Sequence, residues 1–406
     1  MVLLPPGDGR GPAGGVAVWA RVTRGVEWVC AAEVRGRLGG RITGRGHRSV
    51  LFDVPQERLQ DVLLAATADD VFIWAGTAGG IGRTRSSLGE LSGRVDVRGV
   101  VEAADLVRLV RPVADRPAFD VSASFLGSRN FNRYELEDAV GTAVAGHTGW
   151  LYSSRSASAA GPPPQLVATS FSIRVHVDHE EAMLGVRVGD APLHRRSYKR
   201  NRPTGTLHPP VAAALALLAG LRPGSVLFDP YCGAGTIAIE AAKLEPAMLC
   251  MGADADAGAV AGASENAVLA DTTVRFAVAD AHDAPLPDGS ISRVVTNPPW
   301  GRTVPARRGP GGARPAAEVC LRLVEREGRT VVLNDAETEA ASGREGLTPL
   351  LSVRMRVSGR VAVASVATAG SGSPIDPKGL LGPELSEELE TWEPLQASSS
   401  SEVEAT

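Results

Sequence analysis

No apolar run in the 406 residues reaches the ~20 residues that a membrane-spanning helix needs. The most continuous one, Val211 to Leu221, is too short and too rich in alanine. The opening stretch, MVLLPPGDGRGPAGG, lacks a basic segment ahead of its apolar residues and breaks at once into Pro and Gly. That is unlike a secretory leader, so a cytosolic protein with no membrane partner is expected. Only four cysteines are present, Cys30, Cys232, Cys250 and Cys320, with no Cys-x-x-Cys and no nearby His pairing. Zinc and redox motifs are therefore missing, and buried free thiols with no bound metal are expected. Positive charge is also scarce, the formal net charge being −4. Much of the deficit sits in the tail from Asp376, where eight acids face one lysine, leaving the body at +3. Nucleic-acid binding would have to depend on clustering rather than on total charge.

What is present falls into blocks. A Gly/Pro-rich start, the segment Ser153–Pro164 and the Ser/Glu-rich tail break the pattern, and the tail reads as disordered. From Val16 to about Asp70 a strand, a helix, a strand pair and a second helix (PQERLQDVLLAATA) suggest a small α+β unit. Up to Val188 follow a strand (FDVSASF), a helix (RYELEDAVGTAVAGHTG) and two alternating strands, an antiparallel or mixed sheet. After Thr206 strands alternate with helices, the signature of a parallel, doubly wound sheet, closed by an antiparallel hairpin at its edge.

The segment 226-VLFDPYCGAGTIAIEAA-242 ends a strand at Asp229, turns on Gly233 and Gly235, and starts a helix near Thr236. Glycines allow close backbone approach, and the helix start offers N–H groups to a carboxylate. The next strand ends in 252-GADAD-256, where Asp254 suits two ribose hydroxyls, and 274-VRFAVAD-280 ends in Asp280, placed for an adenine amino group. Asp256 reads better as a helix cap. Three successive acids at strand ends point to an adenosyl cofactor.

A fourth strand delivers 296-TNPPWG-301 to the same edge. An amino group on an aromatic base is a weak nucleophile because its lone pair is shared with the ring. A site that accepts both amino hydrogens, on the Asn297 side chain and the Pro298 carbonyl, turns that lone pair toward a methyl donor. Pro298 and Pro299 restrict the backbone, and Trp300 offers a stacking face for a base.

These motifs resemble class I S-adenosylmethionine-dependent N-methyltransferases over about Thr206 to Thr368. The stretch 191-APLHRRSYKRNRPTGTLHPPVAAALA-216, followed by DPYCGAGTIAIEAA, resembles more narrowly the guanine-N2 RNA methyltransferases that carry an amino-terminal THUMP domain. The resemblance implies an α/β fold: a carboxy-terminal Rossmann-like doubly wound sheet preceded by smaller α+β ferredoxin-like and THUMP domains. It implies a ferredoxin-like domain over 1–75, a THUMP domain over 76–190, a basic linker over 191–206, the methyltransferase domain over 207–369 and an acidic tail over 370–406. S-adenosyl-L-methionine would be held by Asp229, Pro230, Cys232, Gly233, Gly235, Thr236, Asp254, Asp280 and Asn297. Structured RNA, tRNA before rRNA, would meet Arg195, Arg196, Lys199, Arg200 and Arg202 of the linker and Arg129 and Arg133 of the THUMP-like segment 119–150. His47, His147, His176 and His179 have no ligand-like spacing, and Trp19, Trp28, Trp74 and Trp150 read as core or domain-interface residues. The alternatives are a 23S rRNA guanine-N2 methyltransferase and a non-catalytic RNA-binding protein that kept the fold. The second has no need of Asp229, Asp254, Asp280 and Asn297 together.

Overall fold

Alternation of apolar side chains writes the first sheet directly into the sequence. In β1 (Val16–Val22), Val16, Val18, Ala20 and Val22 enter the main core, while Ala17 and Trp19 join a second cluster on the opposite face. The computed structural model describes residues 15–156, 170–203, 205–300, 316–336 and 346–371. The Gly/Pro-rich start, most of Ser153–Pro164 and the expected disordered tail from residue 372 lie outside them.

After β1 come α1 (Glu27–Glu33), β2 (Arg41–Gly46), β3 (Ser49–Val54), β4 (Ala68–Ala78), α2 (Ser86–Arg94) and α3 (Val97–Val110). Then follow β5 (Ala118–Phe125), α4 (Arg133–Thr148), β6 (Leu151–Tyr152), β7 (Phe171–Asp178) and β8 (Glu181–Arg187). The strands form one sheet in the order β2-β3-β1-β4-β8-β7-β5-β6, with β5 parallel to both its neighbours. β4 runs across residues 75 and 76 as one strand, paired with β1 over Ala68–Ile73 and with β8 over Phe72–Ala78 past an irregularity between Trp74 and Gly76, so the two expected modules share a single sheet. Its run DVFIWAGTA does not alternate because both its faces are covered.

Two local expectations change. Gln56–Leu64 is a 3-10 helix, its buried Leu59 and Val62 three residues apart as that tighter period requires. α2 and α3 were not anticipated, although α3 carries its own signals: Asp96 caps Gly99 N at 3.0 Å, and Val100, Ala103, Ala104 and Val107 are buried at helical spacing. α4 begins with a reciprocal capping box between Asn132 and Glu135.

The second sheet is built from β9 (Val226–Asp229), β10 (Leu249–Asp254), β11 (Arg275–Val278), β12 (Ile291–Thr296), β13 (Val324–Asp335), β14 (Thr348–Val357) and β15 (Arg360–Thr368). Helices α5 (Pro209–Leu218), α6 (Thr236–Leu244), α7 (Ala257–Leu269) and α8 (Ala316–Leu323) intervene. Strand order is β11-β10-β9-β12-β13-β15-β14, the first five parallel and the last two an antiparallel hairpin at the edge. The four cysteines are buried and free, and the four tryptophans named above are core residues.

The two sheets are joined firmly. Arg37 Nη2 donates to Leu244 O at 2.8 Å, and Arg356 N donates to Arg24 O at 2.9 Å. Gly25 sits beneath that crossing with φ +92, and any Cβ there would lie 2.1 Å from Arg354 O, so both conformation and space demand glycine.

Candidate active site

At the end of β9, Asp229 is 1% exposed. Its Oδ1 accepts from the Thr296 hydroxyl at 2.7 Å and from Tyr231 N at 3.1 Å. Burial pushes its carboxyl up to about 7, against the pull of those two bonds, with nearby Asp254 adding to the rise. The strand end thus holds an acid poised near neutrality.

The glycine turn follows. Gly233 (φ +50) and Gly235 (φ +75) both take left-handed backbone, which only glycine adopts cheaply. A Cβ at Gly233 would meet open space, whereas one at Gly235 would strike the Phe276 ring at 2.5 Å. The first glycine serves conformation and faces room for a ligand; the second also serves packing. Asp254, half-buried at the end of β10, accepts from Gly233 N at 2.9 Å and from Asp256 N at 3.0 Å, and so shapes the turn. Asp256 caps α7 through Gly258 N and Ala259 N, as expected. Asp280 is exposed just beyond β11 and accepts from His282 N at 2.9 Å. Cys232 is buried, its thiol pushed up by burial and by Asp229 and Asp254, so it packs as a neutral group. Pro230 lies between Asp229 and this turn, and Thr236 opens α6 as expected.

Asn297 leaves the end of β12 next to Thr296, and its Oδ1 is buried with no hydrogen-bond partner among the described residues. A buried carbonyl oxygen without a donor costs about 1–3 kcal/mol, so such an atom marks a place where a donor is meant to arrive. Pro298 is buried, Pro299 half-buried, and the Trp300 indole N–H donates to Leu333 O at 3.1 Å, which anchors the ring edge on β13. Residues 301–315, which continue the turn, lie outside the described residues.

The linker reads differently from the sequence expectation. Arg196 is drawn inward: its guanidinium meets Glu240 Oε1 at 3.0 Å and Oε2 at 3.2 Å, Ala66 O at 2.7 Å and Leu193 O. Tyr198, 2% exposed, donates to the same Glu240 at 2.6 Å. Lys199 is buried, gives its amine to Leu207 O, and is pulled down to about 8 by burial. Arg196 and Lys199 are thus structural cations of the domain joint rather than phosphate contacts, because Glu240 and main-chain carbonyls occupy their donors. Arg195, Arg200 and Arg202 remain exposed. Arg129 is likewise a clamp, bonding Ile81 O, Gly82 O and His179 O above Phe125 and Phe131. Arg133 stacks on Tyr134 and bonds its hydroxyl at 2.9 Å.

Three residues of the site were not foreseen. Thr296 ties β12 to Asp229. Phe276 fills the space above Gly235 and Gly252. Asn266, fully buried in α7, accepts from Arg200 N and Asn201 N and donates to Asn201 O and Ala234 O. One side chain thereby stitches the linker to the glycine turn. An Asn on the apolar stripe of an alanine-rich helix was the available signal.

A parallel sheet with glycine turn, strand-end acids and Asn-Pro-Pro turn gathered at its carboxyl edge has the fold of class I Rossmann-like methyltransferases. Residues 196–336 match the family model described as the RMKL-like methyltransferase domain. The chain is 34% identical over 221 residues to the tRNA (guanine(6)-N2)-methyltransferase of Thermus thermophilus, covering 54% of this chain and 62% of that protein. It is 29% identical over 188 residues to the human U6 snRNA (guanine-N2)-methyltransferase THUMPD2, covering 45% of this chain and 34% of that protein. It therefore spans less than two thirds of the length of these relatives. The crystal structure of TrmN from Thermus thermophilus superimposes with a TM-score of 0.64 at 24% identity, over 87% of this chain and 99% of that one, so the architecture is shared across both sheets.

Proposed function

We propose that this protein is an S-adenosylmethionine-dependent RNA methyltransferase acting on the exocyclic amino group of guanine, N2, in tRNA. The unpartnered, buried Oδ1 of Asn297 at the carboxyl edge of the parallel sheet carries this reading. The residues fit the cofactor: Gly233 turns beside open space, Asp254 at the end of β10 would meet the ribose hydroxyls, Asp280 just past β11 would meet the adenine, and Asp229 would offer negative charge to the cationic amino group. When bound, the cofactor supplies a methyl group already activated for transfer. What the chain adds is alignment. Asn297 Oδ1 and the Pro298 carbonyl accept the two amino hydrogens and direct the nitrogen lone pair, while the rigid proline pair holds both acceptors in place. The names of both relatives support guanine N2 and that of the Thermus thermophilus protein supports tRNA, and the amino-terminal sheet ahead of the site supports an RNA substrate larger than a nucleotide.

Asn297→Ala tests the mechanism. Turnover on unmodified tRNA should fall on the order of 100–1,000-fold in single-turnover assays, with cofactor affinity within a few-fold of wild type. A near-normal single-turnover rate would reduce the turn to a structural loop. Nucleoside mass spectrometry of tRNA and rRNA from a deletion strain identifies the RNA, and loss of a methylguanosine from rRNA alone would replace tRNA by rRNA.

A further inference from the structure

The open face of the amino-terminal sheet and the β14–β15 hairpin enclose a cleft of about 1140 Å³. Its wall is strongly cationic: nine arginines line it against four aspartates. Some of these arginines are partly neutralised locally, Arg187 by Asp70 at 2.7 Å and Arg48 by Asp69 at 3.3 Å. Arg195 and Arg356 are exposed. None of the nine lies on the glycine turn or the Asn297 turn.

The hairpin decides where this cleft leads. β13 runs parallel to β12, with Thr296 beside Val332, and β14 returns antiparallel to β15, which pairs with β13. The β14–β15 turn therefore projects at the same carboxyl edge as Asn297, three strand spacings away, about 14 Å. Ser358 (φ 49) and Gly359 (φ 81) both have positive φ, the tight two-residue turn that matches strand twist, so Arg356 stands on a stiff support.

We propose that this cleft seats the RNA backbone and that Arg356, on the β14–β15 hairpin, hands the strand from the cleft to the Asn297 turn. This rests on the RNA reading above and locates its substrate. Charge complementarity favours a polyanion, and the polar floor favours RNA over an acidic protein. Ser122 and Ser124 line the cleft, as does Asp120, whose Oδ1 is buried without a hydrogen-bond partner among the described residues. An acceptor of that kind suits a ribose 2′-hydroxyl, whereas the carboxylates of an acidic protein would only repel it.

The experiment uses the full chain, unmodified tRNA, and three charge reversals: Arg356→Glu, Arg195→Glu and, as a control on β11 at the far edge of the sheet, Arg275→Glu. Binding measured across a salt series should weaken about tenfold for the first two, with the salt slope reduced by about one phosphate contact each, and stay at wild-type values for the control. Cofactor affinity should be unchanged in all three. If wild type methylates RNA but Arg356→Glu matches Arg275→Glu in affinity and slope, the cleft assignment is overturned while the enzymatic reading stands. If wild type binds cofactor yet neither binds nor methylates RNA, the enzymatic reading falls first. Competition by polyglutamate as effective as that by tRNA would assign the cleft to an acidic protein and overturn the proposal.

Discussion

Replacing Asp229 by Asn should make the protein more stable at alkaline pH while weakening its hold on the cofactor. The carboxyl is 1% exposed and raised from 3.8 to about 7, chiefly by burial. At about 1.4 kcal/mol per tenfold change in proton affinity, that rise corresponds to roughly 4 kcal/mol. The sign follows from proton uptake: between these two values the folded protein binds the proton and the unfolded chain does not. The contribution to stability is complete below pH ~4 and is lost as the pH rises through ~7. Asn has no such titration and still offers an oxygen to the Thr296 hydroxyl and Tyr231 N. Urea unfolding at pH 4 and pH 8 should give nearly equal free energies for the two proteins at pH 4, and a variant more stable by a few kcal/mol at pH 8. Parallel pH profiles would show that Asp229 titrates in the ordinary carboxylate range, and would refute the reasoning. Calorimetry on the same samples should show weaker cofactor binding by the variant at pH 8, where wild type carries the charge.

Glu240→Ala should cost about 3–5 kcal/mol in denaturant unfolding, because it leaves Arg196 buried without its carboxylate and Tyr198 without its acceptor; a loss below ~1 kcal/mol would show that the joint is held by packing alone. Gly235→Ala should lower the melting temperature and cofactor affinity together, since the left-handed backbone costs ~1–2 kcal/mol and the new methyl strikes Phe276; a cofactor affinity equal to wild type would mean that the turn does not shape the binding site.

The carboxy-terminal sheet and its motifs were legible because successive strands run into polar residues after apolar ones: β9 ends in Asp229, β10 ends in Asp254 and β12 leads directly into Asn297. What the sequence hid depended on three-dimensional pairing. Arg196, Tyr198 and Lys199 look like a phosphate-binding cluster in one dimension, but Glu240, more than 40 residues away, and nearby carbonyls claim their donors. The cationic cleft was invisible for the converse reason. Arg21, Arg174, Arg187 and Arg356 are single residues on β1, β7, β8 and β14, and of the nine only Arg195 belongs to a basic run, yet one sheet face and one hairpin bring them together. Asp280 was readable as a strand-end acid but stands two residues past the paired segment of β11, exposed rather than enclosed.

The continuity of β4 through both amino-terminal modules, and the main-chain bond from Arg356 to Arg24, have a consequence for selectivity. A chain fused in this way behaves as a gauge of set length rather than as two arms on a hinge. With RNA seated as proposed, the span from the cleft floor to Asn297 is set by the two sheets and the bonds that join them, and a nucleotide qualifies by its distance from the gripped segment. Lengthening or shortening a stem between grip and target should then move the modified position along the RNA, whatever the bases around it.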